Sequence, residues 1–175
     1  MKRSFVVMSI VGMACACASK AQAPSGMSAE VTQTYTAVKN NIMKSAEKMP
    51  EDGYGFKPMP DIRSFGEVLN HVAESQMRTC ATVAGDEKKA SGAGKMTKAD
   101  VTAALNDAFA ECDKAFGSLS DANAAETIKT PAGQRSRLGL LAGISGHDRE
   151  QYGILAMYLR LKGLVPPSSE RPATR

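Results

Sequence analysis

The chain has 175 residues, of which 22 are Lys or Arg, 18 are Asp or Glu and only two are His. That length is within the size of one domain and leaves little room for two. No Lys/Arg cluster of the kind that tracks a phosphate backbone is present, so nucleic-acid binding is not expected.

Residues 1–23 read as a signal peptide. Lys2 and Arg3 make a short basic start, Phe5 to Ala18 is apolar and small, and Ser19-Lys20-Ala21 or Ala21-Gln22-Ala23 offers small residues for cleavage. Pro24 would follow the second site directly, which favours cleavage after Ala21. The apolar run is short for a membrane span. The alternative is a retained anchor, or lipidation at Cys15 or Cys17, neither of which has a good aliphatic residue three places before it. A periplasmic or secreted protein is expected, free of the membrane once the signal is gone. Cleavage removes Lys2, Arg3 and Lys20 and no acid, leaving 19 basic against 18 acidic residues, a net charge of +1. It also removes two of the four cysteines. Cys80 and Cys112 then remain in an oxidising compartment, either as a disulfide or as two buried thiols on apolar helix faces.

The mature domain, residues 24–175, carries four helical periods and no run with the alternation of a half-buried strand. The first spans about Ser28 to Met49, with Val31, Tyr35, Val38, Ile42, Ala46 and Met49 on one face and Pro50 ending it. The second opens on Ser64-Phe65-Gly66-Glu67, a capping box. Its stripe is Phe65, Val68, Leu69, Val72 and Cys80, and Gly85 closes it. The third starts at the N-cap Thr97 and aligns Val101, Leu105, Ala108, Phe109, Cys112, Phe116 and Leu119. The fourth runs from about Arg137 to Lys162. Leu141, Ile144, Asp148, Leu155 and Leu159 form one seam, with Leu140, His147, Gln151, Ile154 and Tyr158 beside it. Gly163 and Pro166-Pro167 end it. Residues 50–63, 85–96 and 120–136 are read as loops; Lys88-Lys89 in the second is a solvated turn. The expected architecture is all-α, a four-helix bundle.

His71 and His147 both lie on or beside apolar faces, and Gln151 follows His147 by one turn. Ligands from facing helices converge in bundle interiors, and zinc or a similar divalent metal takes about three protein ligands with one open position. Two imidazoles and one amide oxygen are a sparse set, and two histidines in a helical protein are also commonly half-buried, hydrogen-bonded side chains. A serine hydrolase is not supported: no G-x-S-x-G elbow is present, and Gly143-Ile144-Ser145-Gly146-His147 belongs to the fourth helix.

Three stretches carry a resemblance. They are Met49-Pro50-Glu51-Asp52-Gly53-Tyr54-Gly55-Phe56-Lys57-Pro58, the run from Arg63 through His71 to Ala73, and His147-Asp148-Arg149-Glu150-Gln151-Tyr152-Gly153 with Tyr158 to Ser169. In this order they resemble the DinB-like superfamily over nearly the whole mature chain. The resemblance implies up-down-down-up topology, with helices two and three parallel and joined by a long crossover. It implies a metal site, zinc or nickel, made by one histidine of helix two and an HxxxH pair of helix four. His71 and His147 match two ligands; Gln151 stands where the third histidine is expected. An amide is a weaker donor than an imidazole. Glu74, one turn after His71, is a substitute carboxylate or an ordinary solvated charge. With helices two and three parallel, Cys80 and Cys112 sit at nearly equal offsets from their caps, Ser64 and Thr97, which brings both sulfurs to one height for a disulfide.

Three readings follow. The first is a metal-dependent hydrolase or thiol S-transferase acting on a small molecule. The second is a degenerate, non-catalytic binding bundle in which Gln151 marks the lost ligand. The third is a structural bundle braced by the disulfide. Relatives also suggest a homodimer.

Overall fold

The computed structural model describes residues 26–90 and 97–170. The expected signal peptide, with Cys15, Cys17 and the cleavage sites, lies outside the described residues. Four helices form the body: α1 (Met27–Lys48), α2 (Phe65–Ala84), α3 (Lys98–Gly117) and α4 (Arg137–Leu161).

Local chemistry sets their ends. Ser64 accepts from the Glu67 backbone N–H while Glu67 accepts from the Ser64 N–H, so the expected capping box forms at the start of α2. Thr97 caps α3 through the Asp100 N–H, and Ser136 caps α4 through the Gly139 N–H. Gly85 ends α2 in the left-handed conformation, φ 82°, which a side chain would resist.

Polar ties between helix ends fix the topology. The Ser28 N–H, at the start of α1, donates to Asp121, just beyond α3. Lys98, opening α3, donates to the carbonyls of Glu47 and Met49 at the end of α1. Tyr158, late in α4, donates to the Arg63 carbonyl ahead of α2 at 2.8 Å. Arg137, opening α4, reaches the Val83 carbonyl at the end of α2 at 3.5 Å. These ties set α1 antiparallel to α3 and α2 antiparallel to α4. Tyr54, bonded to the Ala46 carbonyl near the end of α1 and accepting from Gly66 at the start of α2, sets α1 and α4 one way and α2 and α3 the other, which is up-down-down-up. The α2–α3 interface is the most extensive. Across it Cys80 and Cys112 form a disulfide with Cα atoms 5.0 Å apart, consistent with parallel neighbours at these offsets.

The core is built from the expected stripes. Ile42, Ala46, Phe65, Leu69, Val101, Leu105, Leu141, Leu155 and Leu159 are fully buried, and Tyr35 stacks on Phe116 with ring centroids 3.8 Å apart. Leu119 lies past the end of α3 and is only partly buried.

The segment 120–136 corrects the sequence reading. It is not all loop: β1 (Thr127–Thr130) and β2 (Gly133–Ser136) form an antiparallel hairpin, with Thr130 paired to Gly133 across the turn. Its side chains are exposed or half-buried, so no hydrophobic alternation marked it. The hairpin matters because it delivers Arg135 to the base of α4.

Candidate functional site

The loop before α2 is pinned rather than slack. Pro50 opens a short 3-10 turn, Glu51–Gly53, and buried Tyr54 donates its hydroxyl to the Ala46 carbonyl at 2.7 Å. Desolvation raises the pKa of this phenol to about 12. The Phe65 and Gly66 N–H groups then donate to Phe56 and Tyr54 carbonyls at 3.1 and 2.9 Å. This fixes where α2 begins, and so where His71 falls on its second turn.

The structure brings His71 of α2 and His147 of α4 together: their Nε2 atoms are 3.0 Å apart, with ring planes tilted by 64°. Both rings are half-buried at a surface cleft. One cleft, about 560 Å³, takes in His71 with Arg63, Asn70 and Glu74. A second, about 320 Å³, takes in His147 with Arg78 and Arg135. Burial first, then the nearby charges of Arg63 and His147, hold the His71 pKa below its usual value, and Glu74 only partly opposes them. His71 is thus kept neutral, the state a metal ligand needs.

Behind the pair lies a fully buried carboxylate. Asp148 Oδ1 stands 3.5 Å from His147 Nδ1, and Oδ2 accepts from Gln76 Nε2. Burial raises the Asp148 pKa, against the pull of His147 and the Gln76 amide. The tautomer that satisfies both contacts places the His147 proton on Nδ1 and has His71 donate Nε2–H to the His147 lone pair. The other end of Gln76 lies against the Cys112 sulfur. That sulfur carries no hydrogen in the disulfide, so the contact is packing, not a hydrogen bond.

Gln151 is buried on α4, and its Oε1 makes no hydrogen bond. A buried orphan carbonyl is costly. It lies one turn beyond His147 on the same face. Glu74 stays exposed on α2, and among the described residues no three His, Cys, Asp or Glu side chains gather as a metal set. Two neutral imidazole nitrogens converging on one point, with an unsatisfied amide oxygen nearby along the helix, fit a divalent ion with water completing its shell; the set is weaker than three imidazoles.

Sequence reasoning missed Gln76, Arg78 and Arg135 as neighbours of the pair. Asp148 stood in an apolar seam, and a carboxylate there was the available signal.

The sequence model of the DinB superfamily matches residues 34–155, more than half of the chain and including both histidines and Gln151. No curated protein matches significantly. Among solved structures, a DinB-like protein, YjoA from Bacillus subtilis, is similar with a TM-score of 0.63 at 16% identity, covering 82% of this chain and 99% of that one. At that identity the likeness shows the fold, and the fold is the helical bundle derived above. The family model takes in all of α2 and α3 and most of α1 and α4, and on that match the chain belongs to the DinB superfamily.

Proposed function

We propose that the chain is a divalent-metal-dependent enzyme, a hydrolase or thiol transferase, acting on a small molecule outside the cytoplasm after its signal peptide is removed. One observation carries this reading: the Nε2 atoms of His71 and His147 meet at 3.0 Å between two half-buried rings. His71 and His147 would hold zinc or nickel, with Gln151 Oε1 as a weak third donor. Bound there, such an ion would lower the pKa of a water or thiol and so supply a nucleophile near neutral pH. The chain's own contribution is positioning. Asp148 lies on the Nδ1 side of His147 so that Nε2 faces His71, and the Gln76 amide holds Asp148 in place.

A second reading has its own support. Gln151 replaces an imidazole, and no third ionisable ligand joins the pair among the described residues. In that case the bundle binds a small molecule without metal chemistry.

Metal content of the mature, untagged protein separates the two. Near-stoichiometric zinc or nickel in the wild type, lost in His71→Ala, supports the enzyme. Metal absent from the wild type but acquired by Gln151→His supports the metal-free binding protein.

A further inference from the structure

The cleft on the His147 side has a composition of its own. Arg78 comes from α2, Arg135 from β2, and the hydroxyl residues Ser75 and Thr79 line it beside His147, in about 320 Å³. No carboxylate lines it. Arg78 is exposed and makes no ion pair with a described residue. Arg135 is held over the cleft by one hydrogen bond, from Nη2 to the Gly139 carbonyl at 3.3 Å. Gly143 leaves the α4 wall open, since a Cβ there would meet nothing within 4 Å. Leu140 and Ile144 add an apolar flank.

We propose that this cleft binds the carboxylate of a small organic acid, with Arg78 and Arg135 taking the charge and the Leu140–Ile144 flank taking the hydrocarbon part. The proposal rests on the reading of the His pair as a small-molecule site and names its substrate class. Two guanidinium groups line this cleft with no carboxylate in its wall. Their planar donor forks match a carboxylate better than an ammonium would. Glu74, one turn before Arg78 on α2, lines the two adjoining clefts instead, one beside His71 and one that Arg78 also borders. A carboxylate seated at the arginines would share the cleft with the His147 ring, which also lines it. The volume exceeds the need of an inorganic ion and suits an acid of a few carbons.

The test is a titration of metal-free mature protein with sodium butyrate, and with butyramide as the uncharged counterpart, following the His147 ring signals by NMR. Assignment comes from His71→Ala. A saturable shift with butyrate, none with butyramide, and affinity reduced about tenfold or more in Arg78→Gln/Arg135→Gln support the proposal. No saturable shift, an equal response to butyramide, or unchanged affinity in the double variant overturns it. Thermal unfolding of the double variant, altered only at exposed side chains, checks that it folds. Metal content is measured on the same samples. Metal bound without butyrate binding defeats this inference alone, and butyrate binding without metal defeats the metal reading alone.

Discussion

The Gln76 amide donates to Asp148 at a point in the bundle where neither side chain reaches solvent. One helix thus supplies the partner for a carboxylate on another, and that carboxylate faces the ring of His147.

Removing the amide should be expensive. Gln76→Leu leaves Asp148 buried without its donor, and a loss of about 3 kcal/mol is expected. Urea unfolding at neutral pH measures it. Adding Asp148→Leu to the Gln76→Leu background should recover part of the loss, since the stranded carboxylate is then gone. A Gln76→Leu midpoint matching the wild type would mean that the pairing carries no weight.

The pH dependence follows from His71. Its folded pKa lies below 6.5, chiefly through burial, so the unfolded chain takes the proton more readily. In the window from 6.5 down to the folded value, the unfolded state binds more protons. The stability associated with neutral His71 is therefore complete above pH 6.5 and lost as pH falls through that window, at no more than about 1.4 kcal/mol per pH unit. Urea midpoints between pH 5 and 8 should show a steeper acid-side decline for the wild type than for His71→Asn. Parallel curves would remove His71 from the account.

The disulfide closes a separation of 32 residues. Chain-entropy reasoning gives it roughly 3–4 kcal/mol of stability. Both cysteines are fully buried, so dithiothreitol should reduce the native protein only at the rate of its unfolding. Thiol counting in denaturant without reductant should find no free sulfhydryl in a protein spanning residues 24–175. Two would show that the bond does not form in the cell.

The helices were legible because their signals are local. The serine and glutamate of Ser64-Phe65-Gly66-Glu67, the cap Thr97 and the stop at Gly85 each act within a few residues, and the structure places the helix ends beside them. The hairpin was not legible because neither strand buries a face, leaving only Thr127, Ile128 and Thr130 and the turn at Gly133 to hint at it. The meeting of His71 and His147 could be anticipated from the family resemblance, but not from spacing, since the two lie 76 residues apart and meet only through the packing of their helices. Gln76 was hidden for the same reason. Its meaning comes from Asp148 and Cys112, which no window of sequence around it contains.

The helices that carry the two imidazoles are anchored to each other at both ends. Tyr158 reaches the Arg63 carbonyl at one end, and Arg137 reaches the Val83 carbonyl at the other. The histidines lie between these anchors, like a gap set by a calliper locked at both jaws. Tied at both ends, the two helices cannot swing apart like a hinge at either end, and the Nε2 atoms meet within that closed span. A guest arriving at that gap finds its width already fixed, so little of its binding energy is spent on ordering the host.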